Sequence, residues 1–372
     1  MRVLLIEPFF TGSHKQWALG WQQHSAFQIE LLTLPGYHWK WRMHGAAVTL
    51  AQLFLQLENK QFDAIVATDM LDVSLFKSLT AVYTSSTPMV LYMHENQLTY
   101  PWSATDADVL LKRDNHYAFI NYTSALVANA VWFNSQYHLR SFIDALPQFL
   151  KQFPDFNNLE TIAAIEQKSK VVYLGIDLEK HEQKKPAIIE KYTRCLVLWN
   201  HRWEGDKNPI QFFEALFLLQ EHGIDFKLAV LGELFKNTPA IFKEAKEKLS
   251  ENIVHWGFAE SEEAYCQWLW KADLLPVTSH QDFFGASVVE AMFCNTVPLL
   301  PRRLAYAEHV PQQFSSTFFY DENDFVSKLQ KRIMDVKYLR TMNTRQWVEK
   351  YDWKTCVAEY DNGLREMIKT AR

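Results

Sequence analysis

The chain has 372 residues, of which 48% are hydrophobic and 22% are charged, a balance that is typical of globular proteins with room for two domains. A net charge of −5 argues against a protein that holds nucleic acid by bulk charge alone, although a local basic face stays open. The four cysteines form no CxxC pair, and no run approaches the roughly 18 apolar residues of a membrane span, so we expect a soluble cytoplasmic protein without a disulfide framework or a membrane partner.

The first half of the chain alternates short apolar runs with amphipathic stretches. Helical patterns, such as His44–Lys60 and Ser135–Leu146, lie between the runs. Continuous apolar strands that are separated by helices predict a parallel sheet covered on both faces. The predicted strands are Arg2–Glu7, Phe27–Leu34, Phe62–Asp69, Pro88–Glu95, Ala125–Ser135 and Lys170–Asp177.

A charged segment with a proline in its middle, Leu178–Arg194, separates this half from a second series of the same kind. We therefore predict an α/β protein with two tandem Rossmann-like, doubly wound domains at residues 1–185 and 186–350, followed by a terminal helix at 351–372. Ligands of such sheets bind at the carboxyl ends of the strands, which in a tandem arrangement face a central cleft. The strands of the second series are Cys195–Asn200, Phe226–Gly232, Asn252–Phe258, Asp273–Thr278 and Thr296–Pro301.

Three strand ends of the second domain carry candidate ligand-binding residues. Arg202 and Lys207 follow its first strand, where a bidentate guanidinium and a mobile ammonium would grip a diphosphate; the alternative is a solvated charged loop. Gly232 would let a ligand approach the backbone closely, or is a plain turn glycine. Gly257 would pair with a base and Phe258 would stack on it, unless Phe258 is a core aromatic. The chain lacks GxGxxG, which disfavours a dinucleotide-dependent dehydrogenase.

Two acids, Asp282 and Glu290, stand eight positions apart around a predicted helix start. Gly285, Ala286 and Ser287 offer backbone N–H groups at that start, which is a natural phosphate site. A carboxylate accepts two hydroxyl hydrogen bonds readily, so one acid suits a sugar and the other suits a ribose.

The stretch "DFFGASVVEAMFCNTVPLL", which begins at Asp282, resembles the E-x7-E segment of family 4 retaining glycosyltransferases of the GT-B fold. Arg202 and Lys207 resemble the diphosphate-binding pair of that family, and "VVYLGID" resembles its strand end. Two departures are Asp282, which is a methylene shorter than the usual glutamate, and Asn295, which stands where a glycine is usual. The resemblance implies a GT-B fold whose terminal helix crosses back to the first domain, a nucleotide-sugar donor, and no metal or other cofactor. It also places Phe284 in the donor site.

Two blocks of the first domain, "LLIEPFFTGSHKQW" and "YMHENQLTYPW", resemble the tRNA-queuosine mannosyltransferases. Gly12, Ser13 and His14 follow the first strand and precede a helix, so we expect them to face the cleft on the donor side. "HENQ" gathers His94, Glu95, Asn96 and Gln97 at a strand end. A buried core histidine is the usual alternative for His94, but its three polar neighbours favour a site.

The resemblance implies transfer of mannose from GDP-mannose, with retention, to queuosine in the anticodon loop of a tRNA. Arg202, Lys207 and the helix amides would stabilise the leaving diphosphate. His94 would contact the donor sugar, and Asn96 and Gln97 would face the acceptor. Glu95 is a candidate base, although a route in which the departing phosphate takes the acceptor proton needs none.

The segment Gly36–Gly45 interleaves aromatic and basic residues and is predicted to be a loop at the cleft. Bases of an anticodon loop stack on such aromatic side chains, so the segment is our candidate RNA platform. A surface loop with packed tryptophans is an equal alternative. The platform side chains are Tyr37, Trp39, Lys40, Trp41 and Arg42, and Lys112, Arg113, Arg302 and Arg303 would add phosphate contacts.

Two other functions stay open from the sequence. The first is a family 4 transferase with a glycan, lipid or small-molecule acceptor; a lipid acceptor would favour an amphipathic basic helix, and we find no convincing one. The second is an RNA-binding protein that holds a sugar nucleotide without turnover, which the intact set of Arg202, Lys207 and Glu290 disfavours. The residues leave the base of the donor and the oligomeric state undetermined.

Overall fold

The computed structural model describes residues 1–102, 108, 115–232 and 238–371, which divide into two compact units. The first unit comprises Met1–Ile176 and Trp353–Arg372, and the second comprises Asp177–Asp352. The border between the units therefore precedes the predicted one at residues 185 and 186. The reason is that the charged segment is part of the second unit, where His181 is fully buried.

The described part of the first unit contains a six-stranded parallel sheet in the order β2-β1-β3-β4-β5-β6. Every residue of β3 and β4 is buried, as expected for strands covered by helices on both faces. The strands are β1 Arg2–Phe10, β2 Gln28–Pro35, β3 Ala64–Thr68, β4 Met89–Met93, β5 Ala130–Phe133 and β6 Ser169–Val171. The helices are α1 Gly12–His24, α2 Trp39–Leu55, α3 Val73–Leu79, α4 Ala81–Thr84, α5 His116–Val127, α6 Gln136–Leu150 and α7 Thr161–Gln167.

The described part of the second unit also holds six parallel strands, in the order β12-β11-β10-β7-β8-β9. The edge strand β12 was not predicted, because two residues are too short to form a hydrophobic pattern. The strands are β7 Cys195–Trp199, β8 Phe226–Leu231, β9 Ile253–Gly257, β10 Leu274–Pro276, β11 Val297–Pro301 and β12 Phe319–Tyr320. The helices are α8 Glu179–Gln183, α9 Pro209–Glu221, α10 Ile241–Lys248, α11 Glu262–Lys271, α12 Ala286–Phe293, α13 Ser315–Phe318, α14 Phe325–Met334, α15 Val336–Leu339 and α16 Arg345–Val348.

The terminal helix α17, Trp353–Ala371, packs on the first unit, which confirms that the chain crosses back. The Trp353 ring occupies the space beside Gly20 and Gly175, where an added Cβ would collide with it. Asp361 accepts hydrogen bonds from the Ser25 hydroxyl (2.7 Å) and the Ala26 amide (2.8 Å). The burial of the Trp353 ring and the hydrogen bonds of Asp361 together hold the helix against the first unit.

Among the helices of the described residues, none combines the length and the apolar character that crossing a bilayer requires.

Candidate functional site

Lys207 and Asp282 form a buried ion pair at the carboxyl edge of the second sheet. The Lys207 ammonium lies 2.9 Å from Asp282 Oδ1 and 3.2 Å from Asp206 Oδ2, and it donates to the Gln281 carbonyl at 2.7 Å. The second oxygen of Asp282 accepts a hydrogen bond from the Tyr306 hydroxyl. Burial by itself raises the pKa of Asp282, but the Lys207 charge, the contribution of His201 and the hydrogen bonds from Tyr306 and Lys207 together lower it. Asp282 is therefore an ionised carboxylate whose two oxygens are already engaged.

Arg202 and Lys207 differ in exposure in a way that the sequence did not indicate. Lys207 is buried and fixed, whereas the sequence suggested a mobile point charge. Arg202 is the more exposed cation: its side chain is 56% exposed and lies 3.1 Å from Glu204 and 3.7 Å from Asp206. An exposed guanidinium exchanges such partners for a phosphate at little cost. Of the two predicted diphosphate ligands, Arg202 is therefore the one with an accessible cationic group, and its contact with a diphosphate stays a prediction.

Glu290 lies one turn into α12 and has three partners. Its Oε2 accepts a hydrogen bond from the Tyr265 hydroxyl at 2.8 Å, and its Oε1 lies 3.5 Å from His181 Nε2 and 3.8 Å from Lys180 Nζ. Burial opposes ionisation, but the hydrogen bond and charge of His181, with the Lys180 charge, lower the pKa of Glu290 to about 2. None of the three partners was predicted: Lys180 and His181 lie in the charged segment that was interpreted as a linker, and Tyr265 lies in a helix far from Glu290 in the sequence.

The turn before α12 requires its glycine. Gly285 has φ of 86°, and a Cβ there would lie 2.9 Å from the Tyr306 ring. Ser287 lies in the first turn, where its hydroxyl is 3.1 Å from His201 Nδ1, and Ala286 begins the helix. Phe284 is buried against His309 and its carbonyl accepts the His309 ring N–H at 2.6 Å. Its side chain thus supports the turn and is not available to a ligand, in contrast to the prediction.

Asn295, at the position where a glycine is usual, has φ of 60°. Asparagine tolerates this left-handed conformation better than most residues do, which explains why it replaces glycine here.

The ends of β8 and β9 differ in accessibility. A Cβ at Gly232 would lie 2.3 Å from the Trp203 ring, so Trp203, and not a ligand, occupies the space that this glycine opens. A Cβ at Gly257 would meet nothing within 4 Å. Phe258 is 70% exposed, which excludes the core interpretation and leaves its ring open to a planar ligand.

The first unit holds a buried titratable cluster at the carboxyl ends of β1, β3 and β4. His14 Nδ1 lies 3.1 Å from Glu7 Oε2, and the His94 amide donates to Asp69 Oδ1 at 2.7 Å. The His14 and His94 rings are 4.2 Å apart. Burial lowers the pKa of His14, but the charge and hydrogen bond of Glu7, together with the charges of Asp69 and Glu95, raise it to about 9. Burial, and then the charge of His14, lower the pKa of His94 well below its usual value. A protonated His14 therefore lies beside a neutral His94.

Glu7, His14 and His94 are also the one group of possible metal ligands that the described residues bring together, with ligand atoms within 4.8 Å of one another. The hydrogen bond between His14 and Glu7 places a proton where an ion would bind, so Glu7 needs no metal to neutralise it. Metal independence stays a prediction. Glu7 and Asp69 were not singled out from the sequence, although each carboxylate stands at the end of a predicted strand.

The "HENQ" residues are adjacent but do different things. Gln97 donates its amide to Glu95 Oε1 at 2.9 Å. Asn96 is fully buried, and its Oδ1 accepts from the amides of Leu98 and Thr99 at 3.0 Å each. Asn96 thus shapes the loop after β4. Gly12 and Ser13, at the start of α1, are exposed on the surface of the unit.

The predicted platform is a helix start and not a loop, because α2 begins at Trp39. Trp39 packs on Tyr117 with ring centroids 5.2 Å apart, and the Lys40 ammonium lies 2.5 Å from Asp108. Trp41 is 64% exposed and Tyr37 is 68% exposed. Arg42 donates its Nε–H to the Pro35 carbonyl at 3.1 Å. Exposed aromatic area is therefore present, but three of the five predicted side chains, Trp39, Lys40 and Arg42, are engaged within the unit.

The additional phosphate contacts are less available than predicted. Arg302 lies 3.3 Å from Asp321, and Arg303 donates to the carbonyls of Ser279 (3.0 Å) and Thr278 (3.1 Å). The other two, Lys112 and Arg113, lie outside the described residues.

Both units match models of known protein families. Residues 2–176 match the family model described as tRNA-queuosine alpha-mannosyltransferase N-terminal, and residues 180–349 match that described as glycosyl transferases group 1. The tRNA-queuosine alpha-mannosyltransferase of Drosophila melanogaster is 33% identical over 320 residues, which cover 84% of this chain and 82% of that protein. The GDP-mannose:cellobiosyl-diphosphopolyprenol alpha-mannosyltransferase of Xanthomonas campestris is 21% identical over 55% of this chain and 54% of its own length.

Among solved structures, the catalytic domain of starch synthase IV from Arabidopsis thaliana, bound to ADP and acarbose, has a TM-score of 0.71 at 12% identity, with 99% of each chain covered. This likeness confirms the predicted α/β GT-B fold. The match to the Drosophila enzyme, together with the two family models, shows that the chain is a glycosyltransferase and belongs to the tRNA-queuosine alpha-mannosyltransferase family.

Proposed function

We propose that the protein transfers mannose, with retention, from GDP-mannose to queuosine in the anticodon loop of a cytoplasmic tRNA. The observation that carries this proposal is the 33% identity to the Drosophila enzyme over 84% of the chain, which includes both units. The mannosyltransferase of Xanthomonas, whose name specifies GDP-mannose, supports the donor. All four cysteines are free and buried, as suits a reducing compartment.

The second unit offers what a nucleotide sugar needs. Arg202 and the amides at the start of α12 bind the diphosphate, and they stabilise the charge that grows on it as the glycosidic bond breaks. Each Glu290 oxygen keeps acceptor capacity beside its present partners and takes a ribose hydroxyl. Asp282, which Lys207 holds ionised, accepts from a hydroxyl of the mannose.

The first unit supplies the acceptor chemistry. His94 is neutral, and its ring nitrogen Nε2 is buried with no hydrogen-bond partner among the described residues, so it is suited to a sugar hydroxyl. The departing phosphate accepts the proton of the queuosine hydroxyl, which makes a separate base unnecessary. Glu95, oriented by Gln97, fixes the acceptor. Tyr37 and Trp41 stack on loop bases and Arg42 pairs with a phosphate.

A transfer assay tests the proposal. Labelled GDP-mannose is incubated with a tRNA that carries queuosine and with the same transcript that carries guanosine at that position. We expect label only on the queuosine tRNA. Transfer to neither tRNA, with transfer to a glycan or a polyprenol-linked acceptor, would assign the chain to the alternative family 4 function. GDP binding without transfer to any acceptor would indicate a binding protein.

The RNA surface is tested separately by Trp41→Ala with Arg42→Gln. Transfer should fall, and the salt dependence of tRNA binding should become shallower because one phosphate contact is lost. Arg140→Gln is the matched control, since Arg140 is an exposed arginine of the same unit that pairs with Glu166 at 3.1 Å. Equal transfer by both variants at every salt concentration would exclude α2 as the platform.

A further inference from the structure

The short helix α8 (Glu179–Gln183) lies between the border of the two units in the chain and Glu290, the carboxylate assigned to the ribose. The amides of Leu178 and Glu179 donate to Asp352 Oδ2 at 2.9 and 3.1 Å, and Asp352 is the last residue of the second unit. These hydrogen bonds join the first residues of the second unit to its last residue. They also hold the start of α8 in place, which orients the residues that follow.

Two successive residues of α8 contact Glu290. His181 is fully buried, with Nε2 3.5 Å from Glu290 Oε1 and Nδ1 3.1 Å from Cys266 Sγ. Its carbonyl accepts the Trp270 indole N–H at 2.8 Å. The residue is thus hydrogen-bonded through Nδ1 and its backbone carbonyl, and its Nε2 lies within ion-pair distance of Glu290. Lys180 lies 3.8 Å from the same Glu290 oxygen and 3.2 Å from Glu262, on the solvent side.

The residue after His181, Glu182, holds α8 against the helix that carries Glu290. Glu182 pairs with Arg345, whose guanidinium lies 4.2 Å from the centre of the Phe293 ring on α12. Arg345 also donates its amide to Asn295 Oδ1 at 3.3 Å. The distance between α8 and α12 is therefore set by contacts on both sides of Glu290, and not by the ion pair alone.

We propose that Lys180 and His181 are positioning residues of the donor site, which hold Glu290 as a fixed, ionised acceptor for both ribose hydroxyls and so make the site selective for a ribonucleotide. This inference rests on the proposed assignment of Glu290 to the ribose. If Glu290 were protonated, one of its two oxygens would carry a hydrogen and act as a donor. Only the other oxygen would then accept a hydrogen bond from a ribose hydroxyl as the ionised carboxylate does. Burial lowers the pKa of His181, but hydrogen bonds with Cys266 and Glu290 raise it to about 9.

Calorimetric titration with GDP and with 2′,3′-dideoxy-GDP separates positioning from general folding. The wild type should prefer GDP by tenfold or more, since two hydrogen bonds to a charged acceptor distinguish the ligands. His181→Leu should lose about tenfold in GDP affinity and leave dideoxy-GDP unchanged, so the preference collapses. His181→Gln, which retains a hydrogen-bond donor, should recover part of the preference. A merely structural defect would weaken both ligands alike.

Lys180→Met is the second variant, because Lys180 lies nearer the surface and its loss leaves the core intact; it should reduce the preference in the same direction. Lys184→Met is the matched control: Lys184 lies one turn further along and pairs with Glu262 and Glu263, so the preference should not change.

A wild type without any preference would overturn the ribose assignment of Glu290 and this inference with it. A wild-type preference that persists in His181→Leu and Lys180→Met would overturn the inference and leave the proposed function standing. If thermal melting shows that His181→Leu is unfolded, Lys180→Met alone decides between these outcomes.

Discussion

Removal of the Lys207 side chain should destabilise the second unit far more than a loop lysine would. In Lys207→Met, the Asp282 side chain, which is only 18% exposed, loses the ammonium 2.9 Å away and retains the Tyr306 hydroxyl. Removal of one partner from a buried pair costs about 3–5 kcal/mol, because the remaining charge is stranded. Asp282→Asn should cost less, about 1–3 kcal/mol, since Lys207 keeps Asp206 at 3.2 Å and the Gln281 carbonyl at 2.7 Å.

The double variant Lys207→Met with Asp282→Asn should be more stable than the sum of the single losses predicts, because it removes both charges together. Urea unfolding followed by tryptophan fluorescence measures all three variants, with Trp199 and Trp203 as buried reporters of the second unit. Arg202→Ala is the control for charge alone, and its free energy of unfolding should stay within about 0.5 kcal/mol of the wild type. A Lys207→Met variant that loses less than about 1 kcal/mol, or single losses that simply add, would refute the description of Lys207 and Asp282 as a buried, coupled pair.

Three further predictions concern separate parts of the molecule. Arg202→Ala should weaken GDP binding by about 1.5–3 kcal/mol in calorimetry, as expected for a lost charged hydrogen bond, and unchanged affinity would remove Arg202 from the diphosphate site. Phe258→Ala should weaken GDP by roughly 1 kcal/mol through lost stacking, whereas Ile210→Ala, at another exposed apolar position, should not. Stability should fall as pH rises from 6.5 to about 9, because His14 has a folded pKa of about 9 and its stabilisation is complete only below the unfolded value of 6.5. His14→Gln should flatten that part of the pH profile of unfolding, and an unchanged slope would assign the titration to another group.

The sheets followed from the sequence because their strands are buried on both faces. Runs such as Ala64–Thr68 and Met89–Met93 are wholly buried and therefore appear as continuous apolar segments. The start of α2 was placed too late, at His44, because Trp39 and Trp41 were interpreted as a loop platform. Helix starts depend on local backbone geometry, here His38 with φ of 53°, which a hydrophobic pattern does not encode.

Site residues could be predicted where they belong to one sequence motif. They could not be predicted where folding brings together residues that are far apart in the chain. Asp282, Gly285 and Glu290 were found because they lie within one short segment. His181 was not found, because it is separated from Glu290 by more than a hundred residues and lies in a stretch with the composition of a linker. Gly232 was assigned to a ligand because the sequence gives no sign that the Trp203 ring fills the space beside it.

Buried acids have different charged neighbours in the two units, and the difference matches the ligand proposed for each unit. In the described part of the second unit, Asp282 lies beside Lys207, Glu290 beside His181 and Lys180, and Asp273 beside Lys191 (3.3 Å) and Arg340 (2.8 Å). Each of these buried acids is therefore neutralised by a cation within its own unit, whereas Arg202 pairs with Glu204 at the surface, where its side chain is 56% exposed.

In the first unit, Glu7 and Asp69 both interact with the single imidazolium of His14. Burial raises the pKa of Asp69 well above its usual range, and this happens although His14 opposes it. With Asp69 protonated, the His14 imidazolium balances the Glu7 carboxylate, so the cluster offers no surplus positive charge to a phosphate and is suited to hydrogen bonds with neutral hydroxyls. Buried charge therefore supports assigning the anionic donor to the second unit and the diol of the acceptor to the first.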